Sequence, residues 1–342
     1  MHKVIVLLLL IAFIAQSLAT PPAVLQNKDD KTKTLRITHI ALHNISADKA
    51  REIAEKIKTS GFNAIQVVLS DGIIFEHAPW KPINNAWTKS EFLSWVSYVR
   101  ELNLDIIPEI NLLTHQERFF QNLHPQLMFN KSTYDPRNEE TFKIVFAFID
   151  EVIEAIQPKA IHIGHDEVAG HLPYSTKKWL RSGEEMLPAT LFLKNVTRIH
   201  AYLKQKGIET WMWGDMLLNP NEFPAMLVKH MHGTAPGYGK PLRDQLPKDI
   251  VICDWHYFDE QTEFPSLTTL QQEGFRVIAT TWKNEKTIRN FSRYAKNHKA
   301  YGMMATIWFH LPRNEMELVK WIIQTSGLLF QNPDAAVLPQ PK

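Results

Sequence analysis

The chain has 342 residues, 44% hydrophobic and 22% charged, with a formal net charge of +2 and a single cysteine, Cys253. That balance suits a globular protein with a sizeable core and excludes an intrachain disulfide framework. Near-neutral charge without a dense basic run gives no support to a nucleic-acid partner.

Met1-His2-Lys3 is a short basic start, Val4 to Ile14 is almost unbroken aliphatic sequence, and Ser17-Leu18-Ala19 has a small-x-small pattern. This layout predicts a signal peptide over residues 1–19, cut after Ala19, and a secreted or periplasmic protein. Read as a membrane anchor, the apolar run falls short of the roughly 20 residues a spanning helix needs, so no stable membrane insertion is expected. Export with one cysteine fits a bacterial periplasm or medium better than a eukaryotic route. The N-x-Ser/Thr triplets at Asn44, Asn130, Asn195 and Asn290 point the other way. Residues 20–34 read as a flexible lead-in, 35–332 as one domain and 333–342 as a carboxy-terminal tail.

Eight short runs rich in Val, Ile and Trp read as buried parallel strands: Leu35–Leu42, Ala64–Leu69, Asp105–Ile110, Ala160–Gly164, Glu209–Trp213, Val251–Trp255, Val277–Thr281 and Met303–Trp308. Amphipathic stretches fill the gaps, among them Ala47–Ser60, Ser90–Leu102 and Glu139–Ile156. Strands alternating with helices predict an α/β protein, a single (β/α)8 TIM barrel. The competing open sheet needs a Gly-rich first turn, and the first turn here is Leu42-His43-Asn44-Ile45.

In such barrels the chemistry lies where the strands exit. The exits here carry His43; Asp71; Asn111 with His115; His162 to Glu167; Trp213 with Asp215; Trp255 to Tyr257; Trp282; and Trp308 with His310. Carboxylates, histidines and tryptophans share one rim, which suits a sugar. Plugging of the barrel mouth by large aromatics is the plainer alternative. On the fourth strand His162, Gly164 and Asp166 face the axis by alternation. Glu167 follows where alternation ends. Adjacent carboxylates repel, and a carboxyl held protonated is what a glycosidic leaving group needs. The alternative is that Asp166 caps a following helix and Glu167 is a solvated first-turn residue.

His162-Ile163-Gly164-His165-Asp166-Glu167 matches the His-x-Gly-x-Asp-Glu strand end of glycoside hydrolase family 20, the β-N-acetylhexosaminidases. The chain resembles that family over roughly residues 35–330. Tyr134-Asp135-Pro136 through Gln157-Pro158 resembles its lead-in to that strand. Pro108-Glu109-Ile110-Asn111 with His115 is similar to its Pro-Glu-Ile-Asp…His motif. The resemblance implies exo-acting, retaining, substrate-assisted catalysis on an N-acetylhexosamine-containing oligosaccharide or glycoconjugate, with no cofactor and no metal. Glu167 would be the general acid/base and Asp166 would hold the 2-acetamido N–H. His115 with Asp71 would support Glu167, with Asn111 and His162 behind. Arg36, Asp215 and His310 would meet sugar hydroxyls. Trp213, Trp255 and Trp308 would box the N-acetyl group and the ring. Tyr257 is the first stand-in for the family's acetamide-polarising tyrosine, Trp282 the second.

The chain departs from the pattern at several places. Asn111 stands where Asp is usual, His165 replaces a small residue, Phe309-His310 replaces an acidic partner, and Arg36 lacks an acidic follower. Three rivals share these observations: a non-catalytic sugar-binding barrel, an exo-glycosidase using Glu109 or Asp215 as nucleophile, and a polysaccharide deacetylase. His77, His124, His171, His230, His232 and His298 read as surface or loop residues; His230-Met231-His232 lacks a third ligand nearby for a metal. Cys253 reads as a small core residue. The segment 233–249 suits a homodimer contact or a lid.

Overall fold

The computed structural model describes residues 34–170 and 180–341. The expected signal peptide, the lead-in up to residue 33 and His171 lie outside the described residues. No described helix is long and apolar enough to cross a membrane.

Eight strands form a closed parallel barrel in sequence order. They are β1 Leu35–Ala41, β2 Ala64–Leu69, β3 Asp105–Leu112, β4 Ala160–Gly164, β5 Glu209–Trp213, β6 Val251–Trp255, β7 Arg276–Thr281 and β8 Gly302–Thr306. Closure is made by β1, which pairs with β2 (Ile37 beside Ala64) and with β8 (Leu35 beside Gly302). The described helices run in the same order: α1 Ala47–Thr59, α2 Lys89–Glu101, α3 Phe120–Leu123, α4 Glu139–Ile156, α5 Ala189–Gln205, α6 Lys240–Gln245, α7 Pro265–Gln272, α8 Glu285–Asn297 and α9 Met316–Gln331. The expected (β/α)8 barrel is therefore the fold. Two expected strands were too long at their ends: β1 stops at Ala41, and β8 stops at Thr306, with Trp308 in a tight turn, Trp308–His310.

Strand alternation sorts the core into two layers. Val251, Cys253 and Trp255 point into the barrel, with Ile37, Ala64, Ile107, Trp211, Trp213, Ile278 and Met304. Their neighbours Ile161, Ile163, Met212 and Ile252 point outward to the helices. Cys253 is the small interior residue expected of it. Burying each large apolar side chain contributes roughly 1.5–3 kcal/mol, so the two layers carry the fold. The helices begin where side chains satisfy free N–H groups: Ser46 caps α1, and Thr88 with Glu91 forms a capping box on α2. The tail beyond α9 is docked: Arg289 donates to the carbonyls of Pro333 and Ala335, and Trp321 donates to that of Leu338.

The barrel interior is not wholly apolar. Glu109 is fully buried and accepts from Gln66 Nε2 at 2.7 Å, with His39 Nε2 2.9 Å away. Burial works to raise the Glu109 pKa, but the nearby His39 and His162 and the Gln66 bond bring it down to about 2. Buried charge survives only with such partners.

Gly164 ends β4 with φ +73, and a Cβ there would lie 3.2 Å from Asn111 Cα and 3.3 Å from Leu112 N. Only glycine lets β3 and β4 approach this closely in that conformation. The register between the two strands shifts at the same place.

Candidate active site

The carboxyl ends of the strands carry the strain. Leu113 (φ 71), His115 (φ 57), His165 (φ 71), Glu167 (φ 48) and Trp308 (φ 50) all adopt left-handed backbone. A non-glycine residue held this way costs on the order of 1 kcal/mol or more. Such strain persists only where surrounding contacts enforce it.

Those contacts are visible. His165 turns outward into the helix layer, its Nδ1 2.8 Å from Ile163 O and its Nε2 2.7 Å from Asn195 Oδ1 on α5. It anchors the strand end and does not crowd the carboxylates. Asn195 is fully buried and Asn130 nearly so, so neither sequon is open to a glycan in the folded chain. The turn at His165 presents Asp166 and Glu167 over the mouth. Among the described residues the next helix after β4 is α5, so Asp166 caps no helix there.

His115 Nε2 lies 3.3 Å from Asp166 Oδ2 and 3.7 Å from Glu167 Oε2. Burial opposes a charge on His115, but the two carboxylates push its pKa up to about 10. Glu167 is raised by burial and by the charges of Asp166 and Asp215, against His115 and His232. Asp166 Oδ1 is buried and has no hydrogen-bond partner. That acceptor leaves a lone pair at the mouth open to a donor from outside the chain.

Asp215, at the exit of β5, is buried behind this pair. Its Oδ2 accepts the Glu167 backbone N–H at 2.8 Å and lies 2.8 Å from His232 Nδ1. Its Oδ1 accepts Trp255 Nε1 at 3.3 Å. Tyr257 packs on Trp255 with ring centroids 4.9 Å apart, and its hydroxyl accepts Trp308 Nε1 at 3.1 Å. Burial pushes the Tyr257 phenol well above its usual range, and the charges of Asp166 and Glu167 push it further, so it stays a neutral donor. Trp213 forms the floor, its ring 4.4 Å from His162 and 5.8 Å from Trp308, and its Nε1 donates to Glu109 Oε1 at 3.4 Å.

The family described as "Glycosyl hydrolase family 20, catalytic domain" matches residues 42–322. The chain belongs to glycosyl hydrolase family 20. Among curated proteins it is 26% identical over 207 residues to Lacto-N-biosidase of Bifidobacterium bifidum, covering 57% of this chain and 16% of the relative. It is 28% identical over 182 residues to Hexosaminidase D of Bos taurus, covering 48% of this chain and 50% of the relative. The match thus spans half or less of these relatives' own length. Two solved structures share the fold. A chitobiase of Flavobacterium johnsoniae superposes with TM-score 0.63 at 15% identity, covering 87% of this chain and 48% of that one. Dispersin B superposes with TM-score 0.55 at 15% identity, covering 87% of this chain and 98% of that one.

The family 20 motif is assembled around His115, Asp166 and Glu167, but several expected contacts sit elsewhere. Arg36 is at the opposite end of the barrel, at the start of β1, where its Nε donates to Gly61 O at 2.7 Å. It cannot hold sugar hydroxyls at the mouth. Asp215 spends both oxygens on protein donors, so it positions Glu167 and is not a sugar contact. Glu109 lies inside the barrel, and Asp215 is committed, so the two-carboxylate alternative has no second nucleophile. Asp71 lies 3.9 Å from Arg118 Nε. His115 is nearer Asp166 than Glu167. Asn111 contributes its carbonyl to Gln116 Nε2 at 2.7 Å, and His162 Nδ1 accepts the Gly164 N–H at 3.2 Å. His310 is buried, stacked on Trp282 at 5.4 Å and hydrogen-bonded to Glu315. Glu315, five residues on, is thus the carboxylate beside His310, a pairing no strand-end reading reveals.

His230 and His232 are buried, not surface residues. His230 Nδ1 and His256 Nδ1 each lie 2.7 Å from Asp259 Oδ2, and Tyr257 N donates to His230 Nε2 at 3.3 Å. The His-x-His spacing drew attention for metal binding; its partners, 17 and 29 residues away, carried no local signal. Two trios bring one ligand atom each within 4.8 Å: His230, His256 and Asp259, and His115, Asp166 and Glu167. The third ligand group that the sequence lacked beside His230 is therefore present in the fold. In both trios the same atoms already serve one another as hydrogen-bond or ion-pair partners.

Proposed function

We propose that the chain is an exo-acting β-N-acetylhexosaminidase working by substrate-assisted, retaining catalysis, an exception to the two-carboxylate scheme. The observation that carries this reading is the buried, unpartnered Asp166 Oδ1 beside a raised Glu167 and a charged His115. Asp166 accepts the substrate's acetamide N–H. Tyr257, oriented by Trp308, donates to or polarises the acetamide oxygen. That oxygen attacks C1 while Glu167 gives its proton to the departing glycosidic oxygen. Glu167, now a carboxylate, takes a proton from water, which attacks C1 and reopens the cyclic intermediate. His115 stabilises whichever carboxylate is charged. Trp213, Trp255 and Trp308 supply apolar faces for the ring.

The substrate class is an oligosaccharide or glycoconjugate ending in β-linked N-acetylhexosamine. Hydrolysis of chromogenic N-acetyl-β-glucosaminide and galactosaminide tests the reading. Turnover should fall at least ~10²-fold in Glu167→Gln, as for loss of a general acid, and strongly in Asp166→Asn. A folded wild type without turnover, or turnover indifferent to both changes, overturns it. Export through the amino-terminal segment belongs to the same proposal and is checked by the terminal sequence of protein recovered from medium or periplasm. A homodimer is checked by its mass in solution.

A further inference from the structure

One turn behind the mouth reaches both arms of the centre. His230 ends the tight turn Val228–His230, Met231 is fully buried, and His232 follows. His232 Nδ1 lies 2.8 Å from Asp215 Oδ2, the oxygen that accepts the Glu167 N–H. His230 Nε2 accepts the Tyr257 N–H at 3.3 Å. Side chains two residues apart thus stand behind the acid's peptide on one side and the Tyr257 peptide on the other. The His230 ring also packs edge-on against Trp255 at 5.0 Å and Tyr257 at 5.9 Å. Asp259 Oδ1 accepts the Leu227 N–H at 2.7 Å, which pins the start of the turn to the segment after β6.

The partners of His230 fix its proton. Nε2 faces an N–H donor, so it carries no hydrogen; the proton sits on Nδ1, which donates to Asp259 Oδ2 at 2.7 Å. Burial lowers the His230 pKa to about 4, with the Asp259 bond opposing the drop. Asp259 takes its cation from His256 instead. Burial disfavours charge on His256, but Asp254 and Asp259 raise its pKa to about 9, and its Nδ1 lies 2.7 Å from Asp259 Oδ2. With that charge supplied, His230 stays neutral at ordinary pH and keeps the lone pair that Tyr257 needs. A second imidazolium at this place would point a hydrogen at the Tyr257 N–H.

We propose that His230 is a positioning residue for the acetamide step: its Nε2 sets the place of the Tyr257 peptide, and so of the phenol, in register with the Glu167 peptide that His232 and Asp215 hold. The inference rests on the hexosaminidase reading, which gives Tyr257 its part. The acetamide oxygen and the acid act on one C1 in the same step, and a misplacement of about 1 Å costs on the order of 10²-fold. A turn that holds both peptides keeps their separation constant.

Two substitutions separate the contacts. Asn carries its amide nitrogen near the place of Nδ1, so His230→Asn keeps the donor to Asp259 and loses the acceptor for Tyr257. Gln reaches the place of Nε2 with its amide oxygen, so His230→Gln keeps that acceptor and loses the donor to the charged Asp259. Activity and stability should therefore rank the variants in opposite orders. His230→Gln melts lower, because a hydrogen bond to a charged group is the stronger of the two. Its kcat stays within about threefold of wild type, since the phenol keeps its place. His230→Asn melts higher but loses kcat by roughly tenfold or more, with little change in KM. In a Tyr257→Phe background the His230→Asn loss should vanish, as for two residues acting as one unit. Losses that follow melting temperature, or that persist undiminished without the phenol, overturn the proposal. Hydrogen exchange at the Tyr257 amide needs no turnover: it should quicken in His230→Asn and not in His230→Gln. Wild-type turnover with unaltered exchange in His230→Asn sinks this inference alone. A folded wild type without turnover sinks the hexosaminidase reading, and the acetamide role of His230 with it.

Discussion

The Glu167 backbone N–H donates to Asp215 Oδ2 at 2.8 Å, so one buried carboxylate fixes the left-handed peptide that presents the acid. The same oxygen holds His232, and the other holds Trp255. Asp215 thus ties three loops into one rigid wall without facing the sugar. Asp215→Ala should lower kcat by roughly 10²-fold, the cost of misplacing a catalytic group by an ångström, with KM little changed. Asp215→Asn should retain part of that activity, because its amide oxygen still accepts. A raised KM with intact kcat would return Asp215 to the role of sugar contact.

The pH dependence follows from the neighbours of Glu167. A general acid works only while protonated, so activity falls as pH rises through its raised pKa. His115 is one of the charges that lowers Glu167, against burial, Asp166 and Asp215, which raise it. In His115→Gln that cation is gone, and the pKa of Glu167 rises further. The alkaline limb of kcat/KM should move up by roughly one pH unit, the usual effect of one nearby charge. A limb that stays in place, or moves down, shows that Glu167 is not the group that sets it.

The barrel was legible because its strands are runs of Val, Ile and Trp with no competing phosphate turn. Asp166 and Glu167 were legible because they sit on one strand end in a specific local motif. What escaped were partners made by long loops. His232 reaches Asp215 and His230 reaches Asp259 only through the fold of residues 215–259. His165 faces outward as strand alternation assigns, but its left-handed backbone carries no sign in the sequence of a non-glycine residue. Arg36 was misplaced for the opposite reason: a residue two positions into a short strand belongs to the amino-terminal rim, however similar its local sequence.

The buried His256 offers a stability test. Burial disfavours its charge, but Asp254 and Asp259 raise its pKa to about 9. A histidine raised on folding contributes stability fully below its unfolded pKa near ~6.5 and loses it as pH rises through the folded value. The melting temperature should therefore decline between about pH 6.5 and pH 9. His256→Asn leaves two buried carboxylates short of a cation and should cost about 3–5 kcal/mol, with that alkaline decline flattened. An undiminished decline in the variant assigns it to other groups.

Arg36 separates the two rims of the barrel most simply. Its guanidinium bonds Gly61 O at 2.7 Å and its backbone N–H donates to Asn63 Oδ1 at 2.8 Å, both at the start of β2. These contacts staple the amino-terminal ends of β1 and β2, far along the strands from Asp166. Arg36→Ala should lower stability by roughly 1.5–3 kcal/mol, the range for a hydrogen bond to a charged group. Neither kcat nor KM should change at temperatures where the variant stays folded. Arg36→Lys should recover little of the stability, because its ammonium cannot reproduce the planar Nε geometry. A KM that rises in Arg36→Ala without a change in melting would move this residue to the sugar-binding rim, against the position of β1 in the barrel.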